Sequence, residues 1–308
     1  MDYKIFDAHC DTLSELLQKG ESLKENTGMV NTEMLKKYNG FVQVFAAWID
    51  EKKENPLKQA LELNDKFYEE TNANKITVIK DKKTLDDVIG KNQTGAILAI
   101  EDGRAICGSL RVLNVLHTLG FRLITLTWNG ENELGHGAIG SNGGGLTDFG
   151  KDVVRKMNEL GMVVDISHLS EKGFWDVMEI SKKPIIASHS NAKAVCGHPR
   201  NLTDEQIKAL IKTGGAMGIN IYPEFLNNKE YAEIKDVICH IEHILSLGGE
   251  DILGIGTDFD GVPKVPKNLE NTGSLYNLFE EMKKIGYTEE LIEKITYKNM
   301  VRVFSECL

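Results

Sequence analysis

The sequence predicts an α/β fold, a TIM-type (β/α)₈ barrel that occupies residues 1–308 as a single domain. Short β-rich runs recur along the chain, and each is followed by a helix-like stretch or a long loop, as in a parallel barrel. Several runs are largely apolar on both faces, which is typical of strands covered by helices outside and by a packed interior inside. A chain of 308 residues is also close to what one such barrel requires.

Eight runs supply the eight strands of this predicted barrel. A ninth β-like run, residues 76–79, is placed outside it. A helix is predicted to begin at Thr203 and to end at Gly214, and another to run from Phe174 to Ile180. The eight predicted strands are Lys4 to His9, Phe41 to Trp48, Ala96 to Glu101, Arg122 to Trp128, Met162 to Ser167, Pro184 to His189, Ala216 to Ile221 and Leu253 to Phe259.

A long loop is predicted after the fourth strand, from Asn129 to Gly150. It holds eight of the 29 glycines. It lacks the Gly-Lys-Ser/Thr sequence of a phosphate-binding loop, so a nucleotide site of that kind is not expected there.

Composition excludes several classes of function. The formal charge of −10 argues against nucleic acid as a partner, because phosphates require a basic face. No apolar run approaches the roughly 20 residues of a membrane span, and the N-terminus lacks the features of a secretory signal. We therefore expect a cytoplasmic protein with no membrane partner. The five cysteines are scattered and odd in number, which predicts reduced thiols and no thiolate metal site.

Candidate metal ligands follow the first predicted strand. The active site of a barrel is built from the carboxyl ends of its strands, so ligand-type residues should cluster there. Side chains alternate between the two faces of a strand, so His9 and Asp11 point the same way and Cys10 points to the other side. This pair can chelate a divalent cation, although a structural role is the other interpretation of a single His-x-Asp sequence.

Three further strands end in residues of the same chemistry. Glu101 ends the third predicted strand, where burial without a partner would be costly. A salt bridge or a contact with a helix N-terminus is the alternative for this carboxylate. His168 and His189 follow the fifth and sixth strands, each directly after a serine, and a hydrogen-bonded core histidine is the alternative for either of them taken singly.

Asp258 completes the set at the end of the eighth strand, with Asp260 as a competitor two residues further on. Taken together, these residues on five strands predict a metal site better than a series of independent structural roles. The nitrogen and oxygen donors without sulfur suit zinc, with manganese, iron or cobalt as alternatives.

The chain resembles the renal or membrane dipeptidase family of zinc hydrolases, which are amidohydrolase-type barrels. The similarity extends over essentially the whole chain. It is most specific in His198-Pro-Arg-Asn-Leu and Gly256-Thr-Asp-Phe-Asp-Gly. It is also visible in Phe6-Asp-Ala-His-Cys-Asp-Thr, Ile100-Glu-Asp-Gly, Leu123-Ile-Thr-Leu-Thr-Trp-Asn, Val164-Asp-Ile-Ser-His-Leu-Ser, Ala187-Ser-His-Ser-Asn and His240-Ile-Glu-His-Ile.

The resemblance implies a dipeptidase with two zinc ions. It implies that one ion is bound by His9 and Asp11, the other by His168 and His189, and that Glu101 bridges them. A hydroxide shared by the two ions would then attack the peptide bond of a dipeptide.

Three more roles are implied by the same resemblance. Arg200 would bind the substrate carboxylate with Tyr222 nearby, and Asp258 would be the acid/base group. A homodimer is left open.

This sequence departs from the family at one position of interest. Trp128 stands where the animal enzymes have a histidine that is thought to polarise the scissile carbonyl, so that role is in doubt here. His136, in the following loop, is one candidate to replace it, and a solvated loop histidine is the other interpretation.

Two other functions compete with the dipeptidase. A deaminase or cyclic-amide hydrolase would usually show His-x-His in the first strand, where this chain has His9 and Asp11. A non-catalytic barrel that binds a ligand is the third candidate, and the complete ligand set argues against it.

Overall fold

The computed structural model describes residues 1–140 and 142–308. Eight parallel strands close into a barrel in the order β1, β2, β4, β5, β6, β7, β8, β9, with β9 pairing back onto β1. This confirms the predicted α/β barrel. The strands are β1 (Ile5–Cys10), β2 (Phe41–Trp48), β3 (Thr77–Val78), β4 (Thr94–Glu101), β5 (Phe121–Thr125), β6 (Val163–Asp165), β7 (Ile186–Ala187), β8 (Ala216–Ile219) and β9 (Leu253–Ile255).

Helices follow most of the strands, and strand β3 pairs along β4, outside the barrel, as expected for the ninth β-like run. The α-helices are α1 (Thr12–Lys19), α2 (Thr32–Leu35), α3 (Pro56–Asn74), α4 (Lys82–Gly90), α5 (Leu110–Leu119), α6 (Asp148–Leu160), α7 (Glu171–Ile180), α8 (Asp204–Thr213), α9 (Pro223–Asn227), α10 (Ile234–Ser246), α11 (Tyr276–Lys284), α12 (Glu289–Glu293) and α13 (Asn299–Cys307). Short 3₁₀ turns span Gly103–Ile106 and Thr272–Ser274, and a π-helical turn spans Lys294–Lys298.

The predicted helix ends agree with the structure. Helix α8 begins after Thr203, whose side chain accepts a hydrogen bond from the Gln206 backbone, while the Gln206 side chain accepts one from the Thr203 backbone. It ends at Gly214, which adopts a left-handed conformation with φ of 68°. Helix α7 contains the predicted segment from Phe174 to Ile180 and begins three residues earlier, at Glu171.

Strand pairing brings the carboxyl ends of the strands to one end of the barrel. Along β2 and β4 the register runs without interruption from Phe41 opposite Thr94 to Trp48 opposite Glu101. Residues that follow the last paired positions therefore meet at the same rim.

The other end of the barrel is closed by α13. Its first residue, Asn299, donates from Nδ2 to the carbonyl of Leu253, where β9 begins. The guanidinium of Arg302 donates to the carbonyls of Gly214, Gly215 and Asp251. These contacts lie at the amino ends of the strands and stabilise the fold.

Two further predictions concern thiols and membranes. All five cysteines are free, and Cys10, Cys196 and Cys307 are buried. Among the helices in the described part of the chain, none has both the length and the apolar character that crossing a bilayer requires.

Candidate metal centre

Five predicted ligands converge at the rim where the strands end. His9 belongs to β1, Asp11 follows it, and Glu101 is the last residue of β4. His168 lies three residues after β6 and His189 two residues after β7. All five side chains are buried. Burial of this many ionisable groups is costly unless they bind one another or a cation.

The carboxylate of Glu101 faces three histidines, of which His9 and His189 also contact each other, with ring centres 3.9 Å apart. Its Oε2 lies 3.3 Å from Nε2 of His9. Its Oε1 lies 3.0 Å from Nε2 of His168 and 3.9 Å from Nε2 of His189. A carboxylate with one oxygen directed to His9 and the other to His168 has an arrangement that suits a bridging ligand.

Asp11 and Asp258 complete the side of the centre that contains His9. Nε2 of His9 lies 3.3 Å from Oδ2 of Asp11 and 3.9 Å from Oδ1 of Asp258. Burial by itself would lower the pKa of His9, but the charges of Glu101 and Asp11 outweigh it and raise this pKa well above its ordinary value. The site is therefore strongly negative and attracts positive charge at Nε2.

His189 is oriented by a chain of two hydrogen bonds from the barrel interior. The Ser188 hydroxyl donates to Oδ2 of Asp165 at 2.6 Å, so its oxygen accepts from Nδ1 of His189 at 2.7 Å. A proton on Nδ1 leaves the lone pair of a neutral imidazole on Nε2.

His168 is oriented in the same way by a different group. Its Nδ1 lies 2.9 Å from Oδ1 of Asn129, and an amide oxygen can only accept. Burial, together with the positive charges of Arg200 and His9, lowers the pKa values of His168 and His189 well below the ordinary value. Both rings are therefore neutral, with their lone pairs on Nε2.

These two lone pairs point at each other. Nε2 of His168 lies 2.9 Å from Nε2 of His189. With both rings protonated on Nδ1, neither nitrogen has a hydrogen to share, so the pair is repulsive unless a cation lies between or beside them. The donor set therefore fits a metal ion here. Two groups of ligand atoms that could hold an ion share His9: one adds Glu101 and His189, the other Asp11 and Asp258.

Strained backbone accompanies the site. His168 and Asp258 have φ of 66° and 62°, in the left-handed region that residues with a Cβ seldom adopt. Each such residue costs on the order of 1–3 kcal/mol, and strain of this kind concentrates at functional sites. The turns direct both side chains into the rim instead of letting the strands continue.

Asp258 and Asp260 have different surroundings. Asp258 accepts a hydrogen bond from Nδ2 of Asn220 at 2.8 Å, and burial raises its pKa to about 8. Asp260 accepts from the Thr12 hydroxyl at 2.6 Å and from the Met29 backbone at 2.7 Å. Asp260 thus ties two loops together, whereas Asp258 faces His9.

Arg200 is a buried cation with little compensation. Its side chain is only 3% exposed, and Nη2 donates to the carbonyl of His189 at 3.3 Å. Among the residues that the structure describes, no carboxylate lies within 4.0 Å of the guanidinium, and Nε has no hydrogen-bond partner. Burial lowers the pKa of Arg200 to about 10. Such a group is suited to an anionic ligand.

A cavity of about 500 Å³ opens beside the centre. Asp11, Glu101, His168 and Asp258 line it. Trp48 and Trp128 form part of its wall, and their rings meet edge to face at 5.4 Å. Other wall residues are Asn129, Ile139, His198, Tyr222 and Phe225.

Arg200 lies next to this cavity and not on its wall. It lines a small space of about 20 Å³ that shares His168 with the larger cavity. Its guanidinium also lies 5.5 Å from the ring centre of Phe225, which does line the large cavity. The predicted neighbour of Arg200, Tyr222, packs edge to face on the same Phe225 ring at 5.0 Å.

His136 does not take the place of the family histidine. Its Nδ1 lies 3.2 Å from Glu131, and it is absent from the residues that line the cavity. The ring of Trp128 lies 6.3 Å from that of His168, so an indole occupies this part of the wall.

Several site residues were missed by sequence reasoning. Asn129, Asn220 and the pair of Asp165 and Ser188 each contact a predicted ligand or Asp258. Asn220 follows β8 directly, so the rule that directed attention to strand ends could have found it. Nothing in the sequence pattern distinguishes Asn129 from the other polar residues of its loop.

Comparison with known proteins agrees with this geometry. The family model for membrane dipeptidases, peptidase family M19, matches residues 1–307. The chain belongs to this family. The predicted family, hydrolase class and metal-dependent dipeptidase activity are thereby confirmed.

Three relatives illustrate the match. An uncharacterised dipeptidase of Schizosaccharomyces pombe (strain 972) is 32% identical over 333 aligned residues, which cover 98% of this chain and 80% of that protein. The crystal structure of a Rhodobacter sphaeroides metallopeptidase, bound to a phosphinate mimic of L-Ala-D-Ala, superposes with a TM-score of 0.92 at 26% identity, covering all of both chains. The structure of a dipeptidase of family M19 does so with a TM-score of 0.92 at 28% identity, covering 100% of this chain and 99% of that one.

Proposed function

We propose that the chain, as a single domain of residues 1–308, hydrolyses dipeptides at a centre of two zinc ions. His9 and Asp11 bind one ion, His168 and His189 bind the other, and Glu101 bridges them. The main support for this proposal is that the two oxygens of the Glu101 carboxylate lie near different histidines, with Oε2 at 3.3 Å from His9 and Oε1 at 3.0 Å from His168.

Zinc is the ion that the donor chemistry favours. The ligands are imidazole nitrogens and carboxylate oxygens, which suit zinc in hydrolytic sites. Cys10 lies between His9 and Asp11 but is fully buried, and burial raises the pKa of its thiol well above the ordinary value, so a thiolate ligand is not expected. Manganese, iron and cobalt are the alternatives that metal analysis of the purified protein distinguishes.

Two such ions, when bound, would lower the pKa of a water molecule and polarise the scissile carbonyl. Asp258 then moves the proton from this water to the departing amine. A carboxyl group whose pKa burial raises to about 8 can accept and donate a proton near neutral pH. Asn220 holds Oδ2 of Asp258 at 2.8 Å and leaves Oδ1 directed to His9, on the metal side.

Arg200 binds the free carboxylate of the substrate. The support is its burial without any carboxylate within 4.0 Å among the described residues, an arrangement that an incoming carboxylate would complete. Tyr222 packs on the same Phe225 ring as Arg200 and forms the adjoining wall. If Arg200 pairs with the carboxylate of the residue after the scissile bond, only one residue fits between Arg200 and the metals.

This arrangement is tested by substrate length. We expect the zinc-loaded protein to cleave dipeptides, and to cleave tripeptides extended at the C-terminus or amidated dipeptides at least about thirtyfold less efficiently. An unmatched buried charge costs about 2–5 kcal/mol, from which this ratio follows. Arg200→Ala should reduce the difference in kcat/KM between dipeptides and the other two kinds of peptide, mainly by slowing dipeptide hydrolysis.

The measurement is kcat/KM for a matched dipeptide, tripeptide and amidated dipeptide with both proteins. Equal rates on all three substrates with the unmodified protein contradict the role of Arg200. Hydrolysis of cyclic amides in preference to dipeptides would instead favour the other amidohydrolase function. A panel of L-L and L-D dipeptides in the same assay defines the preferred stereochemistry. The cytoplasmic location and the homodimer stay predictions.

A further inference from the structure

Asn129 links the long loop after β5 to a candidate metal ligand. Its Oδ1 lies 2.9 Å from Nδ1 of His168, and its backbone carbonyl accepts from the backbone of Ile139 at 3.1 Å. Both Asn129 and Ile139 line the cavity beside the metal centre. The loop therefore contacts the ring of a candidate metal ligand through the Asn129 side chain.

The hydrogen bond from His168 fixes the position of a proton. An amide oxygen has lone pairs only, so Nδ1 of His168 must carry the hydrogen. In the neutral ring this leaves Nε2 with a lone pair directed at Glu101 and His189. In the other tautomer, an N–H group would point into the centre and Nε2 could not bind a cation.

The two histidines of this side are held by different parts of the molecule. His189 is held by Ser188 and Asp165, which follow or end barrel strands, through bonds of 2.7 and 2.6 Å. His168 is held by the loop, both at its ring and at its backbone, where its carbonyl accepts from Ala138 at 2.7 Å. His168 also lies beyond the end of its strand, and its backbone is strained, with a φ of 66°.

We propose that Asn129 is a positioning residue: it keeps His168 in the tautomer protonated on Nδ1, and thereby makes the ion on the His168 and His189 side dependent on the loop. This inference rests on the proposed role of His168 as a ligand. Asn129 acts through His168, and it does not need to touch the ion or the substrate.

The test compares two substitutions of similar size. Asn129→Leu removes the acceptor, whereas Asn129→Asp keeps an acceptor oxygen at the same position. We expect Asn129→Leu to weaken zinc binding on the His168 side by about 10–100-fold, the usual effect of losing the partner of a ligating histidine. Asn129→Asp should bind zinc within a few-fold of the unmodified protein, and the ion on the His9 side should be retained in both variants.

Two further variants serve as references. Ser188→Ala removes the acceptor of His189 and should weaken the same ion to a similar extent, because it acts on the second ligand of that ion. Glu131→Gln breaks the ion pair of the loop with His136 at 3.2 Å and leaves Asn129 and His168 in place. Its zinc affinity should equal that of the unmodified protein.

Zinc affinity is measured for each site by competition with a chelator of graded strength, and the amount bound by elemental analysis. The tautomer is read directly from long-range ¹H–¹⁵N correlation spectra of ¹⁵N-histidine-labelled, metal-free protein, in which no ion fixes the proton, with a His168 variant to assign the signal. The expected spectrum shows His168 protonated on Nδ1. This spectrum needs no Asn129 variant, so it decides the matter even if Asn129→Leu fails to fold.

The outcomes separate this inference from the proposed function. If the unmodified protein binds fewer than two ions, the two-metal proposal fails. If it binds two and Asn129→Leu holds both at unchanged affinity, only the role of Asn129 is overturned. Equal losses in Asn129→Asp and Asn129→Leu, or a spectrum with His168 protonated on Nε2, overturn it as well.

Discussion

Replacing Arg200 by methionine should make the protein more stable and less active. Arg200 is 3% exposed, and its guanidinium donates a hydrogen bond to the carbonyl of His189. Burial lowers its pKa from the ordinary value to about 10, so the folded state disfavours the charged form that the unfolded chain carries without penalty. At about 1.36 kcal/mol per pKa unit, the cost of keeping it charged at neutral pH is roughly 3 kcal/mol.

Methionine has a similar length and no charge, so Arg200→Met should recover part of this cost. The lost contact with the Phe225 ring and the lost hydrogen bond reduce the gain. We expect the free energy of unfolding to rise by about 1–3 kcal/mol, within the range found when buried charges are replaced by apolar groups. In the same Arg200→Met variant, kcat/KM for dipeptides should fall by about thirtyfold or more, because the substrate carboxylate loses the guanidinium that binds it.

Arg122→Met is the matched control. Arg122 is also buried, but its guanidinium donates to the carbonyls of Lys80, His117 and Phe121 at 2.7–2.8 Å. This substitution should destabilise the fold by about 1–3 kcal/mol and leave kcat/KM unchanged.

Urea unfolding of metal-loaded protein and dipeptide kinetics measure both effects. The reasoning is refuted if Arg200→Met is less stable than the unmodified protein. It is also refuted if the variant loses activity equally on dipeptides and on amidated dipeptides, which have no carboxylate to pair.

Three further predictions follow from the same geometry. Asp258→Asn should lower kcat by about 10²–10⁴-fold while both ions stay bound; near-normal kcat with intact metal content would direct attention to Asp260 instead. His240 accepts the backbone N–H of Ala192 on Nδ1 at 3.1 Å, and burial lowers its pKa below 6.5. As the pH falls below about 6.5, the imidazole of His240 is therefore protonated in the unfolded chain before it is protonated in the folded protein. The unfolding free energy should decrease more steeply between pH 8 and 5.5 in the unmodified protein than in His240→Phe. Equal slopes in the two proteins would contradict this prediction. Gly256→Ala would place a Cβ 1.8 Å from the carbonyl oxygen of Ser188, so a loss of about 3 kcal/mol or more is expected in urea unfolding, and an unchanged midpoint would contradict the packing described.

Much of the barrel could be predicted because its strands are apolar on both faces. Strand β4, for example, is buried at every position after Thr94, and its run Ala-Ile-Leu-Ala-Ile ends in Glu101. The position of a ligand follows from where such a run stops, since parallel strands end at the same rim. This rule was sufficient to locate all five candidate ligands and Asp258.

Strand ends were predicted less well, for a physical reason. The eighth predicted strand reached Phe259, but β9 ends at Ile255, and the sixth predicted strand shrinks to Ile186–Ala187. Past these points the chain turns inward to direct side chains at the centre, and Asp258 adopts a positive φ. A pattern of apolar residues does not reveal left-handed backbone at a residue other than glycine.

The partners of the ligands could not be predicted because they come from distant parts of the chain. Asn129 lies 39 residues from His168, and Asp165 lies 23 residues from Ser188. The buried Asp7 accepts from Thr257, 250 residues away. Each of these pairings depends on which strands become neighbours in the barrel, and local sequence carries no signal of that choice.

The most direct test of the central claim is the metal content of Glu101→Gln. The amide that replaces the carboxylate has one acceptor oxygen and one donor nitrogen, so it cannot bridge two cations. The two carboxylate oxygens of Glu101 lie 3.3 Å from His9 and 3.0 Å from His168. Glu101→Gln should therefore weaken the binding of both ions together, whereas His9→Ala should mainly weaken the binding of one. Elemental analysis and chelator competition should find two zinc ions per chain in the unmodified protein and markedly weaker binding of both in Glu101→Gln. Two ions held by Glu101→Gln at the affinity of the unmodified protein would contradict the bridging centre.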